Sequence, residues 1–360
     1  MSIIMKSAKI ITSLVQVAIL TLLIIKAAIS GDVHVVGSMK HSMQPTTNSS
    51  FNYSKPNNPK VIQLLKIELS DEAKKLLEKR VKERATEHPQ APHSLLDTKT
   101  PVRVQLAMNH VPVLDQGRHG TCITFAMTGA LDAVIGHGDY ISQLCLLQLG
   151  NYLEQHGWFV LSGWDGNFPI SVINQMEQYG IINKENQRKN GCGGLTEYPT
   201  YSDERPESFI EPQQYSTMNE LIFGKIVNWS NIYWRLSSTW TLNEVKEALR
   251  AGDRSVFSVM LPRLDLGTVG AVGNYKTKND TWLVTSDILL GLANIQASHG
   301  LIITGYDDNA IAIDNYGAKH TGLLTLRNSW GSDYGDGGEF YMSYDYFKLL
   351  TYDVRRFSPN

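Results

Sequence analysis

Residues 115–126 read DQGRHGTCITFA, so Cys122 follows a glycine-containing turn and begins a strongly apolar stretch. That stretch predicts a helix from about Thr121 to Ile135, which Gly136 would end. The first N–H groups of a helix have no partner within it, and the helix dipole favours negative charge there. This position therefore stabilises a thiolate at Cys122, although position alone leaves a buried structural cysteine as the alternative.

The general base that a nucleophilic thiol needs is best supplied by His299. Among the ten histidines, His299 opens a predicted apolar strand, residues 300–306, and a strand holds a base rigidly. Asn328 follows a second predicted strand and can orient an imidazole by accepting a hydrogen bond from it. Trp330 can shield that hydrogen bond from water. Taken alone, the Asn-Ser-Trp-Gly stretch of residues 328–331 is also compatible with a turn that carries an aromatic anchor.

Three blocks of the sequence together resemble papain-like cysteine peptidases. The family's nucleophile block has a Gln, three residues, a Gly, one residue and then the Cys. The matching residues are Gln116, Gly120 and Cys122. Residues 299–306 resemble the histidine block, residues 328–338 resemble the asparagine block, and the three blocks occur in family order. The resemblance spans about residues 101–345.

The resemblance implies a role for each of these side chains. Cys122 would be the nucleophile that forms a thioester, and His299 would pair with its thiolate and then protonate the leaving amine. Asn328 would orient His299, in a variant of the serine-protease triad. The side-chain amide of Gln116 and the backbone N–H of Cys122 would form the oxyanion hole, where losing one donor typically costs ~10²–10³ in rate.

The resemblance also predicts the surfaces that bind substrate. The predicted substrate-binding residues are Gly166, Asn167, Phe168, Pro169 and Ser298. The first two would pair with the substrate backbone, and Phe168 and Pro169 would line the pocket for the residue second from the scissile bond. Asn167 replaces a family Gly and is expected to narrow specificity. The family's disulfide beside the nucleophile is absent, since its two positions hold His119 and Trp164.

Cys145 and Cys192 are the two cysteines that the predicted chemistry does not use. Cys145 lies on a helix predicted for residues 142–155, and Cys192 lies in a glycine-rich loop. Since export permits a disulfide, we hypothesise a Cys145–Cys192 bond. The sequence has no zinc-ligand spacing and no phosphate-binding glycine loop, so we expect neither a metal nor a cofactor.

The N-terminus predicts export. Lys6 and Lys9 precede a 16-residue apolar run, residues 10–25, and small residues precede a cleavage position after Ser30. This arrangement is typical of a secretory signal peptide, which we assign to residues 1–30. An uncleaved anchor is the alternative, but the run is shorter than the ~20 residues that span a bilayer.

Residues 31–100 are predicted to be a propeptide. Residues 32–60 are rich in Ser, Asn, Pro and Thr, which favours a flexible segment that packs no core. Ser70 would cap a charged helix that ends at Glu87 and docks through a narrow apolar stripe. Cleavage is expected within about Pro89–Val104. An ordinary N-terminal extension is the alternative.

The main body predicts an α+β protein, since helical patterns precede residue 235 and strand patterns follow it. With the resemblance, this implies a papain-like two-domain fold. A mainly helical left domain, residues 101–235, would carry the nucleophile, and an antiparallel, β-barrel-like right domain, residues 236–360, would carry His and Asn. The active-site cleft would lie between them. Loop insertions are expected, because Cys122 and His299 are 299 − 122 = 177 residues apart.

Composition excludes some functions and leaves others open. The 360 residues carry 33 basic and 35 acidic side chains and three cysteines, which argues against a strongly basic nucleic-acid binder and a disulfide-scaffolded mini-protein. The sequence predicts a secreted, monomeric papain-like cysteine peptidase. Its partners would be protein or peptide substrates and its own inhibitory propeptide, without nucleic acid or a membrane span after signal removal. The alternatives are a thiol-dependent amidase, exopeptidase or transpeptidase on the same fold, or a non-catalytic binding protein derived from it.

Overall fold

The computed structural model describes residues 32–43, 60–86, 101–157, 161–262, 269–271 and 280–360. The predicted signal peptide lies outside the described residues, as does most of the expected cleavage region. Within the described ranges, no helix is long and apolar enough to cross a membrane.

The described residues form helices and strands, and the strands belong to one extended sheet. The helices are α1 (Asp71–Thr86), α2 (Cys122–Ile135), α3 (Gln143–Gln155), α4 (Pro169–Tyr179), α5 (Lys184–Asn190), α6 (Pro212–Tyr215), α7 (Ser238–Arg250), α8 (Ser286–Gly291) and α9 (Tyr344–Leu350). The strands are β1 (Val33–Met43), β2 (Lys60–Leu69), β3 (Arg103–Gln105), β4 (Val227–Asn231), β5 (Arg254–Leu261), β6 (Val269–Ala271), β7 (Thr281–Trp282), β8 (Ala297–Asp314), β9 (Lys319–Arg327), β10 (Glu339–Ser343) and β11 (Thr351–Pro359).

Strand β8 is the centre of the sheet, whose main path is β4-β11-β5-β8-β9-β10-β7. One side of β8 pairs with β5 over residues 297–303, and β9 pairs with β8 only from Ile302 onward. The start of β8 is therefore open on its β9 side. Strand β2 fills that gap, because Leu65 pairs antiparallel with Ser298 and Lys66 with Ala297.

Helix α2 joins the helical part of the chain to the sheet. Its residues from Cys122 to Ala133 are buried, and it packs against β8, β5, α3 and α4. A helix that is apolar on all sides must be covered on all sides, which explains its central place. Its first residue consequently lies at the boundary between the helices and the sheet.

The α+β architecture and most elements agree with the sequence, with one clear error. The charged helix is α1, and the Ser70 hydroxyl accepts a hydrogen bond from the Ala73 N–H at 3.0 Å, as a cap does. Residues 33–43, expected to be flexible and to pack no core, instead form β1. Val33, Val35 and Met43 are buried there, because β1 pairs along its length with β2. The composition of residues 32–60 predicted a flexible segment and gave no sign of this hairpin. Its two strands are separated by 16 residues that lie outside the described ranges.

A second, smaller core lies beneath α3. The structure joins Cys145 of α3 to Cys192 by a disulfide within this core, and both residues are fully buried. In the loop predicted to be exposed, Cys192 is buried, whereas Gly194 is exposed, and Cys192 pairs with Leu195 in a tight turn. Cys122 is the remaining free cysteine.

Candidate active site

Cys122 is the first residue of α2 and is completely buried. Burial raises the pKa of its thiol to about 12, while nearby backbone N–H groups of Gly300, Ile123 and Cys122 itself act in the opposite direction. Desolvation disfavours the thiolate more than the helix N-terminus favours it. In this state of the chain the thiol is therefore neutral.

His299 lies near the start of β8 and donates a hydrogen bond from Nε2 to Asn328 Oδ1 at 2.8 Å. The same oxygen accepts the backbone N–H of Ser329 at 2.7 Å, which identifies it as oxygen and fixes the imidazole proton on Nε2. Trp330 stacks on the imidazole with the ring centroids 4.6 Å apart. Nδ1 is thus the unprotonated nitrogen, and it has no hydrogen-bond partner within the described residues.

The imidazole is neutral for the same reason that the thiol is. Burial lowers the pKa of His299 to about 4, against the opposing effect of the Asn328 hydrogen bond. A neutral imidazole with a free Nδ1 can accept a proton, so the chemistry of a base is present.

The Gln116 side chain is fixed by hydrogen bonds at both of its polar atoms. Its Oε1 accepts from the Ser329 hydroxyl at 2.8 Å, which aims the Nε2 hydrogens away from Ser329. One of these hydrogens goes to His119 O at 2.9 Å and the other to Gln63 O at 3.1 Å. The second contact places a peptide carbonyl of β2 on an amide predicted to bind a substrate's oxyanion.

The predicted substrate-binding residues occupy two facing walls. Gly166 lies on the helical wall with φ +119°, and a Cβ there would lie 2.8 Å from Val35 Cγ1. Phe168 caps α4, and Pro169 begins it. Ser298 lies on the sheet wall, buried and paired with Leu65 of β2. Its hydroxyl is 2.6 Å from that of Tyr352.

Asn167 does not narrow the cleft as the sequence predicts. Its side chain is buried, donates to Leu161 O at 3.2 Å and accepts the Phe168 N–H at 2.8 Å. Both partners belong to the wall itself. The amide therefore stabilises the turn before α4, and the expectation of a narrower specificity loses its physical basis.

The hairpin of β1 and β2 fills the space between the walls. Ser38 of β1 approaches Asp165 at 3.3 Å and Gly120, and also donates to the Gln63 side chain. Gln63 in turn donates to Arg118 O at 2.6 Å. The hairpin consequently covers the loop before Cys122 from the helical side and the start of β8 from the sheet side.

Charged side chains anchor both ends of this N-terminal segment. Lys60 Nζ lies 2.5 Å from Asp115 Oδ1 and donates to Trp330 O at 2.8 Å. In α1, Arg80 is buried and donates to Thr351 O at 2.8 Å, and Arg84 pairs with Asp345 at 3.1 Å. Residues 60–86 are therefore bound to the body at the site and beyond it.

Sequence reasoning missed three groups around the site. The hairpin was missed because 16 residues rich in Ser, Asn, Pro and Thr separate its strands, and Ser329 lies inside a motif assigned to Asn328. Tyr198 gave no local signal at all, although its hydroxyl donates to Gln116 O at 2.8 Å. A polar ring lying 82 residues from its partner becomes visible only in three dimensions.

Solved cysteine proteases of the papain type are similar in structure to this chain. Xylellain from Xylella fastidiosa matches at 19% identity with a TM-score of 0.48, over 75% of this chain and 90% of that one. Procathepsin L 3 of the Tenebrio molitor larval midgut matches at 18% and 0.44, over 75% and 73%. The proform of Amb a 11, a cysteine protease of ragweed pollen, matches at 16% and 0.43, over 74% and 66%. No family model and no curated protein matches the chain.

Proposed function

We propose that this protein is a papain-like cysteine peptidase that is exported and kept inactive by residues 32–86. The observation that carries the proposal is the Gln63 carbonyl, which accepts a hydrogen bond from Gln116 Nε2 at 3.1 Å. A peptide group of the chain itself thus lies where a substrate carbonyl would bind. The buried disulfide supports export, because such bonds persist in oxidising compartments.

In the proposed reaction, the Cys122 thiol gives its proton to Nδ1 of His299, and the thiolate attacks the substrate carbonyl carbon. The oxyanion of the tetrahedral intermediate would be bound by Gln116 Nε2 and the Cys122 N–H. His299 then returns the proton to the leaving amine as the C–N bond breaks. Water attacks the resulting thioester with His299 as base, which restores the free thiol.

Asn328 and Trp330 would act through His299. The 2.8 Å hydrogen bond keeps the proton on Nε2, so Nδ1 stays unprotonated and able to accept the proton of the thiol. Trp330 is buried and covers this bond, which keeps water from competing for the imidazole proton.

Restraint by the hairpin would work through both access and electrostatics. The strands would exclude substrate from the cleft, and they would add to the burial that raises the pKa of the Cys122 thiol and lowers that of the His299 imidazole. Withdrawal of the hairpin would rehydrate the pair and favour the charged forms. Cleavage within residues 89–104 would permit that withdrawal.

Labelling of the thiol tests the proposal. The full chain, activated by limited proteolysis, is treated with an epoxide-type thiol inhibitor and assayed on a denatured protein substrate. We expect one adduct, at Cys122, and loss of hydrolysis in Cys122→Ala, whereas Tyr215→Phe, whose lost hydrogen bond to Gly180 O lies away from the site, retains activity. An unlabelled Cys122 in a folded, hairpin-free protein, or hydrolysis that survives Cys122→Ala, would overturn it and favour a non-catalytic binding protein.

A further inference from the structure

The loop of residues 116–121 carries one proposed oxyanion donor, the Gln116 side chain, and leads directly to the other, the Cys122 N–H. Three consecutive residues of another segment contact this loop. The Tyr198 hydroxyl donates to Gln116 O at 2.8 Å. The Pro199 carbonyl accepts from His119 Nε2 at 3.0 Å, and the Thr200 carbonyl accepts from the Arg118 N–H at 3.2 Å.

The fit between the loop and this brace is close. Gly117 has φ +60°, and a Cβ there would lie only 2.0 Å from the Thr200 carbonyl oxygen. Only glycine combines that backbone conformation with such an approach. The loop therefore has little freedom to move relative to residues 198–200.

The Tyr198 hydroxyl connects the two ends of the loop. Besides donating to Gln116 O, it lies 3.0 Å from Thr121 Oγ1. Because a carbonyl cannot donate, the phenol donates its single hydrogen to Gln116 O, and the Thr121 hydroxyl must donate to the phenol oxygen. Burial raises the pKa of Tyr198, which keeps the phenol neutral and able to donate.

Aromatic rings hold Tyr198 itself in place. Its ring stacks on Trp164 with the centroids 5.6 Å apart and meets the edge of Phe125 at 5.0 Å. Trp164 also contacts His119 edge to face at 5.0 Å, and its carbonyl accepts the Gly120 N–H at 2.8 Å. His119, Phe125, Trp164 and Tyr198 form an aromatic cluster. Two of its members, His119 and Trp164, stand at the positions of the absent disulfide.

We propose that Tyr198 is a positioning residue that sets the separation of the two oxyanion donors, Gln116 Nε2 and the Cys122 N–H. One hydroxyl holds the residue that carries the first donor and the residue that precedes the second. The inference rests on the proposed function, since it assigns Tyr198 a part in that reaction. A misplacement of about 1 Å can cost ~10² in rate, so the brace matters to the transition state more than to substrate binding.

The test compares Tyr198→Phe with the wild-type chain after activation. The variant keeps the ring contacts and loses both hydrogen bonds. We expect kcat to fall roughly tenfold or more with KM changed less than about twofold. The rate at which iodoacetamide alkylates Cys122 should be unchanged, because alkylation needs no oxyanion hole. Tyr215→Phe is the control for the loss of a buried phenol hydrogen bond. Tyr215 is fully buried, whereas Tyr198 is partly buried, and the Tyr215 hydroxyl donates to Gly180 O at 3.1 Å, away from the site.

Two further variants separate positioning from general stability. In a Gln116→Ala background, Tyr198→Phe should lower kcat several-fold less than it does in the wild type. That background already lacks Gln116 Nε2, which is one of the two oxyanion donors that Tyr198 is proposed to position. Thr121→Val should lower kcat, and Thr121→Ser should restore it. Equal falls in both backgrounds, or slowed alkylation in Tyr198→Phe, would overturn the inference while leaving the peptidase intact. A wild-type chain without turnover would instead overturn the proposed function and this inference with it.

Discussion

The two walls of the cleft hold the same hairpin by different means. The sheet wall binds β2 through its backbone, with Leu65 opposite Ser298 and the Ile67 N–H donating to Gln296 O at 2.8 Å. The helical wall binds β1 through close side-chain packing at Gly166 and Gly120. A backbone ladder accepts almost any sequence, whereas close packing selects small or well-fitted side chains. The helical wall is therefore expected to discriminate between side chains of the hairpin more than the sheet wall does.

The largest expected effect comes from a charge placed against the helical wall. Val35→Asp would bury a carboxylate beside Gly166, and an unpaired buried charge costs several kcal/mol. We expect the full chain to be labelled by a thiol inhibitor at least ~10²-fold faster. Val36→Asp is the matched control, because the neighbouring side chain is 46% exposed. Equal labelling rates for the two variants would contradict a selective helical wall.

Loss of a backbone donor probes the sheet wall. Ile67→Pro removes both a buried side chain and the N–H that bonds to Gln296 O, whereas Ile67→Ala removes side-chain volume alone. Labelling should be faster in Ile67→Pro than in Ile67→Ala by roughly fivefold, which corresponds to about 1 kcal/mol for the hydrogen bond. Lys66 is exposed and lies between Leu65 and Ile67 in β2, so Lys66→Ala should change the labelling rate less than twofold. A large Lys66→Ala effect would show that this wall also reads side chains.

Acid and alkali should both open the cleft. The pKa of His299 is lowered by burial from 6.5 to about 4, so the closed state binds fewer protons than the open one and loses stability as pH falls below about 6.5. The pKa of Cys122 is raised from 9.0 to about 12, so the closed state also loses stability above about pH 9. We expect hairpin proteolysis to be slowest between these values, rising up to tenfold per pH unit on the acid side.

The acid limb has a direct control. In a Cys122→Ala background, which prevents self-cleavage, added trypsin measures opening of the hairpin. His299→Gln cannot titrate, so its acid limb should be shallower than that of the single variant. An unchanged acid limb would assign the pH dependence to other groups.

The smallest effect is expected from the ion pair between Lys60 of the hairpin and Asp115, the residue before Gln116. Lys60→Met removes the 2.5 Å contact with Asp115, and both side chains are partly exposed. A pair of this kind contributes at most about 1 kcal/mol, so labelling should rise about two- to fivefold. Lys74→Met, which breaks an exposed pair with Asp71 in α1, should have no measurable effect. Identical effects of the two variants would show that Lys60 does not fasten the hairpin.

Local sequence predicted where the residues of the candidate site lie on helices and strands, but it did not predict which groups surround them. The start of α2 at Cys122 followed from a turn and an apolar run, and the placement of Asn328 beside His299 agrees with two neighbouring strands. The hairpin was not predictable, because β1 is polar on one face and owes its structure to pairing with β2. The inward turn of the Asn167 side chain likewise depends on Leu161, six residues earlier.

Sequence by itself determined the elements whose cause is local: the helix that begins at Cys122, the strands of the second half and the cap of α1. Tertiary structure alone decided their state. The pKa of the Cys122 thiol is raised and that of the His299 imidazole is lowered by burial within the folded chain, and the orientation of Gln116 results from Ser329 and Tyr198, 213 and 82 residues away in the chain. Periodicity and capping act between neighbours, whereas desolvation and hydrogen-bond geometry depend on every group that the fold brings near.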